Sequence, residues 1–438
     1  MIQIGTIVVI ISAIALIIRR VDVRLVLIVA GALLAALMGT PTKILDAFQS
    51  VMSRGDIIGP ICSAMGYAYV LRFTGCDTDM VHILVRPLRR ISWTLVPGGV
   101  AIGFVTNMAI TSQTAAAAAV GPILVPLMIA AGYSPVAAGA TVLIGCSVGG
   151  NLFNPGEPDI VAVKGATGVP VASVIDAAVV PTLLAAVIAI IALMILVHRG
   201  GHHASGVKED TDGVAERPAS FLRALLAPLP VLLLFLLQPR LNLVPAVQQI
   251  WPNGIAVSAI MIICTALVML VTTSNWRSFG RHSSAITVEF FSGMGYAFTN
   301  VISVIVAATC FLAGLEAVGA IRQFTGLLSG SPDLATVLSP VLTWILAVIS
   351  GSGTAPSVAF SQAVLPSLSL SSSLGHAIML GVFGAIGASI GRTMSPVSAV
   401  MHFTSSLTQA AVPDLLRMVW IPMVAALLST ILYGLVFS

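Results

Sequence analysis

An all-α polytopic membrane fold, made of two inverted-topology repeats each with a re-entrant hairpin and a discontinuous helix, is what this sequence predicts. Three observations lead there: an apolar composition, a polar signature that occurs twice, and an uneven distribution of basic residues. Of 438 residues, 58 % are hydrophobic and 8 % charged, with a mean hydropathy of +1.06. Roughly a quarter of a soluble chain is charged, so this one could not cover its surface in water. Apolar runs of about 17–25 residues recur, the length a helix needs to cross hydrocarbon. A multi-pass protein of a bacterial inner membrane is expected.

The repeated signature lies at 107–126, NMAITSQTAAAAAVGPILVP, and at 349–366, ISGSGTAPSVAFSQAVLP. A shift of 240 places Ser112 on Ser352, Thr114 on Thr354 and Pro126 on Pro366. A shift of 241 places NLFNP, from Asn151, on RTMSP, from Arg392. The tetrapeptide MGYA also occurs twice, at Met65 and Met294. Gly, Ser, Thr and Asn crowded into otherwise apolar segments, in corresponding places of two halves, mark a secondary transporter built from repeats.

In chain order, spans are expected at 4–18, 23–38 and 57–73. The opening run lacks a basic n-region and a cleavage site, and reads as the first span. Residues 95–131 are predicted as the first re-entrant hairpin, split by the tip Thr111–Ser112–Gln113–Thr114; two ordinary short helices are the alternative. A helix from 135 is broken by NLFNPGEPD (151–159), where Pro155 and Pro158 lack donors. A long span at 169–197 closes the first repeat (1–197), and the polar stretch 198–220 is read as a cytoplasmic linker. The second repeat, 221–438, is expected to hold spans at 222–237, 254–272 and 286–308 and a partly interfacial piece at 309–330. A second hairpin is expected at 338–368, then a helix broken at 391–396 and a closing span at 417–436.

Basic residues supply the orientation. With the N-terminus outside, fourteen fall on inner loops, among them Arg19, Arg72, Arg89, Arg199 and Arg417. Only Lys43, Arg54, Lys164, Arg240 and Arg322 fall outside. Ten spans plus two hairpins satisfy this bias and make the halves opposite in orientation. Reading the hairpin limbs as full spans gives 12 or 14 instead. The pI near 8.9 reflects these thinly spread loop residues and does not point to nucleic acid. Five scattered cysteines form no CxxC pair and read as small buried apolar residues.

Hairpin tips and helix breaks leave backbone groups unpaired, which attract anions at N–H ends and cations at carbonyl ends. The candidate substrate contacts are Asn107, Ser112, Gln113, Thr114, Asn151 and Asn154 from the first half. Ser352, Gly353, Thr354, Arg392, Thr393 and Ser395 are their counterparts in the second. Thr111, Gly156, Glu157, Asp159 and Ser350 are candidates for handling a coupling ion, H⁺ or Na⁺. Arg392 stands out as a cation inside the apolar core, suited to clamping a carboxylate in a two-pronged contact. A structural pair with Glu157 or Asp159 is the competing reading. No Walker A motif, channel filter or nucleophile–base pair occurs, so neither an ATP-driven pump nor an enzyme is expected.

The chain resembles the DcuC family of anaerobic C4-dicarboxylate carriers over essentially its whole length. The resemblance rests on MGYAYVLRFTGCD from Met65, ITSQTAAAAAVGPILVPLM from Ile110, GCSVGGNLFNPGEPD from Gly145 and SGSGTAPSVAF from Ser350. It implies movement of succinate, fumarate or malate by proton-coupled export or exchange, in a membrane-embedded homodimer without a cofactor. Another organic anion, such as citrate, gluconate or an amino acid, is the alternative cargo.

Overall fold

In hydrocarbon every backbone N–H and C=O must be satisfied within the protein, which makes helices of the apolar runs. The computed structural model describes residues 2–19, 21–86, 94–200, 219–237, 245, 251, 255–273, 276–320, 331–371 and 373–437, and every regular element among them is helical. The predicted linker at 198–220 lies mostly outside the described residues, as do Arg89, Arg90, Arg240 and Arg322.

The chain opens with α1 (Ile2–Ile18), α2 (Val23–Leu37), α3 (Thr42–Met52), α4 (Gly55–Thr74) and α5 (Cys76–Val85). Asp22 caps α2, and the Arg24 side chain bonded to it holds its carboxyl down at about 2. Helices α6 (Leu95–Ala109) and α7 (Gln113–Ala130) form a pair joined by residues 110–112. The discontinuous helix follows as α8 (Pro135–Ser147), a 3₁₀ turn at Gly150–Phe153, and α9 (Pro158–Thr167). Gly149, at φ +112°, makes the turn that a side chain would oppose. The long α10 (Val171–Arg199) ends this half.

The second half contains α11 (Phe221–Leu226), α12 (Leu229–Leu236), α13 (Val257–Thr272), α14 (Phe279–Ala297) and α15 (Ser303–Ala317). The paired limbs are α16 (Pro332–Ser350) and α17 (Thr354–Ser371). The second broken helix is α18 (Leu374–Thr393) and α19 (Ala399–Thr408), and α20 (Val412–Phe437) closes the chain. Helices α6–α10 and α16–α20 thus follow one plan. Their contacts are also symmetric: α7 packs on α19, α17 packs on α9, and α10 lies along α20. Both long helices carry an interior proline, Pro181 and Pro422.

Among the described residues, seven helices are long and apolar enough to cross a membrane, and three shorter apolar ones accompany them. Three expectations need correction. The span at 222–237 is interrupted between Leu226 and Leu229. Pro230 cannot donate to the Leu226 carbonyl, and the Tyr67 hydroxyl donates there instead, at 2.5 Å. The span at 286–308 belongs to a 39-residue helical stretch, Phe279–Ala317, so 309–317 continue a helix. Its π turn at Phe298–Ile302 frees backbone carbonyls, and Arg24 Nη1 donates to that of Thr299 at 3.0 Å. The second break lies at 394–398 and not at 391–396.

Gly391 marks close packing instead of a break, since a Cβ there would sit 2.8 Å from Ala347 Cβ and against the Trp344 carbonyl. Gly387 meets Pro340 likewise, so α16 and α18 cross almost backbone to backbone. The two MGYA segments also meet, where α4 crosses α14: a Cβ on Gly293 would lie 2.8 Å from Gly66 Cα. All five cysteines are free and buried, as expected of small apolar residues.

Glycine should therefore matter by position. Ala is favoured over Gly in a helix by about 1 kcal/mol, yet Gly387→Ala should destabilise by about 1–3 kcal/mol because the methyl meets fixed backbone. Gly295→Ala, with nothing within 4 Å of the added methyl, should be neutral or stabilising. Thermal unfolding of both variants in detergent checks this contrast.

Candidate functional site at the helix breaks

Two asparagines stitch the first tip to the first break. Asn107 is fully buried; its Nδ2 donates to the Ile110 carbonyl at 3.0 Å and its Oδ1 accepts from the Asn151 N–H at 3.1 Å. Asn154 Nδ2 donates to the Met108 carbonyl at 2.9 Å, and its Oδ1 accepts from the Gly156 N–H at 2.9 Å. Non-helical backbone at this depth needs such partners, so these two amides are spent on holding the loop. The side chain of Asn151, by contrast, is buried beside the Glu157 carboxyl, with neither Nδ2 nor Oδ1 at full hydrogen-bond geometry.

Hydroxyls do similar work at the tips of both halves and at the second break. Ser112 and Ser352 cap α7 and α17, accepting from the Ala115 N–H at 3.4 Å and the Ala355 N–H at 3.2 Å. Ser350 closes a small turn with the Ser352 backbone. Thr393 donates to the Ser389 carbonyl at 2.9 Å, and Ser395 accepts from the Val397 N–H at 3.3 Å. These are local bonds of the kind that satisfy a hydroxyl without a ligand. Thr111 is buried and Gln113 Nε2 is buried without a partner, while Thr114 and Thr354 are half-buried. Among the described residues no hydrogen bond links one tip to the other.

Charged groups from the two halves also approach one another. Arg392 occupies the last turn of α18, and its guanidinium packs over the second tip: a Cβ on Gly353 would lie 2.8 Å from Arg392 Cζ. Glu157 precedes α9 and Asp159 lies in its first turn. All three are buried, at 8 %, 2 % and 1 % exposure for Arg392, Glu157 and Asp159. The guanidinium interacts electrostatically with both carboxyls, and Asp159 lies beside Glu157 and Ser357. Yet Arg392 Nε and Nη2, Glu157 Oε2, Asp159 Oδ1 and Ser357 Oγ find no partner at hydrogen-bond geometry. Buried polar atoms are normally satisfied, and these five, from both halves, are not.

Ser357, Ser361 and Ser389 escaped the sequence reading, although all are buried with unpartnered hydroxyls. The i, i+4 spacing of Ser357 and Ser361 was the available signal. The 240-residue repeat sets them opposite Ala117 and Gly121, which hid them. No group of three or more His, Cys, Asp or Glu suited to a metal ion occurs among the described residues.

Multi-spanning helices, two of them broken around a buried charge cluster, define a polytopic membrane carrier. Residues 38–437 match the family described as DcuC, C4-dicarboxylate anaerobic carrier, and the chain belongs to that family. It is accordingly a multi-pass protein of the bacterial inner membrane and a transporter, not an enzyme. Similar proteins include the anaerobic C4-dicarboxylate transporter DcuC of Escherichia coli K12, 25 % identical over 87 % of this chain and 81 % of that one. An uncharacterized transporter of Haemophilus influenzae is 42 % identical over 30 % of this chain and 90 % of its own length. In fold, the chain is similar to the YdaH transporter of Alcanivorax borkumensis, whose crystal structure was described as having an unusual topology. The TM-score is 0.60, with 16 % identity, over 90 % of this chain and 87 % of that one.

The stitching role of Asn107 predicts a stability effect. Asn107→Ala should leave the Asn151 N–H and the Ile110 carbonyl without their partner and cost about 1–3 kcal/mol for each group left buried and unsatisfied. Asn107→Asp, which keeps the acceptor alone, should recover part of the loss in thermal unfolding.

Proposed function

We propose that the chain is a secondary carrier of small C4-dicarboxylates that works by alternating access and is coupled to H⁺ or Na⁺. One observation carries the reading: a buried guanidinium with unpartnered N–H groups lies across from two buried carboxyls of the other half. A guanidinium offers parallel donors to one carboxylate, and the names of the full-length relatives support a dicarboxylate cargo. Arg392 and Gly353, with the Asn151 amide and the α17 hydroxyls nearby, form the substrate side of the site. Glu157 and Asp159 are the ion-coupling groups.

Charge counting supplies the reason for coupling. Two carboxyls face one guanidinium, so a fully ionised site is net negative and repels an anion. Like unit charges about 5 Å apart repel by about 3 kcal/mol at an effective dielectric of about 20. A proton or Na⁺ on the carboxyl pair removes that repulsion, which ties anion binding to cation loading.

The two halves are proposed as inverted repeats with re-entrant limbs α6–α7 and α16–α17. The uneven spread of Lys and Arg favours this arrangement. So do the equivalent packings of α17 on α9 and α7 on α19. Both repeats then bring a tip and a break to mid-membrane, where small rotations of one half against the other expose the site to alternate sides.

Purified protein in proteoliposomes provides the test. Arg392→Gln should lower succinate counter-exchange roughly 10–100-fold, the worth of a lost charge-assisted pair, and Arg392→Lys should not restore it. Normal exchange by Arg392→Gln would sink the clamp. Asp159→Asn should retain exchange but lose accumulation driven by a pH or sodium gradient; a variant that still accumulates substrate removes Asp159 from coupling. Succinate, citrate and gluconate compared in the same vesicles identify the cargo.

A further inference from the structure

A cavity of about 140 Å³ lies apart from the charge cluster, walled by α3, α4, α9, α15 and α17. We propose that it is the entry vestibule of the buried site, a first binding place for a small carboxylate anion on the outer face. The direction of traffic rests on the carrier reading above.

Continuity is the first support. Asp159, Ala162 and Ala166 follow one another at i, i+3 and i+7 on one face of α9. Asp159 lies beside Ser357 at the start of α17, and the two alanines line the cavity together with Gln362 and Pro366 of the same helix. Cavity and carboxyl therefore share the α9–α17 seam, separated by about 5–10 Å at 1.5 Å per residue.

The walls supply suitable chemistry. Thr309 Oγ1 donates to Gln362 Oε1 at 2.7 Å, which occupies the acceptor end of the amide and leaves its N–H₂ end as the donor for an anion. Arg54 also lines the cavity, and its Nη2 donates to the Gly165 carbonyl at 3.4 Å. A Cβ at position 165 would lie 2.9 Å from that nitrogen, so glycine there lets the cation rest on the end of α9. The guanidinium lays a cationic side chain on the cavity wall, and a positive cleft concentrates anions by its field and without a dedicated hydrogen bond.

Asymmetry is the third support. In the equivalent seam, where α7 packs on α19, the corresponding space is filled: a Cβ on Gly121 would collide with Leu407 Cδ2. Gly139 alongside would meet Leu415 Cδ2 at 2.7 Å and Thr404 Cγ2 at 3.4 Å. One seam holds a cavity and its counterpart is packed, as the two ends of an alternating path should be.

The test places a thiol in the full-length protein by Ala166→Cys, with the five buried native cysteines replaced. Right-side-out vesicles are labelled with a sulfonate-bearing and a trimethylammonium-bearing methanethiosulfonate, each rate divided by that reagent's rate with a small thiol in solution. The anionic reagent should be favoured roughly tenfold, as a positive cleft concentrates anions, and Arg54→Gln should abolish the preference. Equal normalised rates, a preference unchanged by Arg54→Gln, or no labelling from outside would each overturn the vestibule. Labelling needs no transport, so a charge preference that persists in a chain unable to move succinate would upend the cargo assignment and leave the vestibule in place. In active vesicles, Arg54→Gln should raise the KM for uptake from outside several-fold and leave kcat unchanged.

Discussion

The structure depends on placing a guanidinium inside an apolar protein within reach of two carboxyls from the other half of the chain. An arginine at the centre of a membrane helix costs roughly 2.5–3.5 kcal/mol even with adaptation, and unpaired buried carboxyls add to that. Such groups persist where the surrounding backbone is fixed well enough to hold them. Arg392 has Gly353 beneath it, and Glu157 and Asp159 stand at the start of a helix whose preceding loop is pinned by Asn107 and Asn154. The broken helices are thus the means by which opposite charges from two halves reach one place.

Two populations of polar side chain divide the work. One set is satisfied locally: Asn107, Asn154, Ser112, Ser352, Thr393 and Ser395 each bond to nearby backbone. Their loss would loosen the tips and breaks without touching a ligand. The other set is buried and unsatisfied: Asn151, Glu157, Asp159, Ser357, Arg392 and, further along α17, Ser361. The contrast is sharper than residue type, since asparagine and serine occur in both. A membrane interior offers no bulk water to settle such groups, and that is the ground for placing the proposed substrate and ion contacts on the second set.

Much of the architecture could be read from the sequence, because its causes are local and repeated. The breaks at Gly149–Pro158 and around Pro396 follow from residues that cannot continue a helix, and shifts of 240 and 241 residues pair α7 with α17 and α9 with α19. Other features depend on partners distant in sequence. Gly391 looks like a helix breaker and is a packing contact with Trp344 and Ala347, which moved the break to 394–398. The interruption at Pro228 and Pro230 was hidden by continuous hydrophobicity and becomes intelligible through Tyr67. At the site, Arg392, Glu157 and Asp159 were legible as charges in an apolar context. Ser357 was not, since its importance comes from packing against α9 and its repeat partner is an alanine.

Near-equivalent halves need not be equivalent at any one moment, and glycine positions show how the difference is stored. At α7–α19 the large Leu407 side chain lies over Gly121, while at α9–α17 the small Ala162 and Ala166 face Gln362 and Pro366 across open space. Closing the second seam would bury apolar surface, worth roughly 25 cal/mol per Å², and opening the first would expose it. Where such terms offset one another, two arrangements of the same chain can differ by only a few kcal/mol, as bistable packed interfaces do. In the proposed mechanism the remaining bias lies with the charges: two carboxyls and one guanidinium resist closure around an anion until a cation joins them. In such a design the apolar seams provide two states of similar energy, and the buried charges decide which cargo is permitted to pass between them.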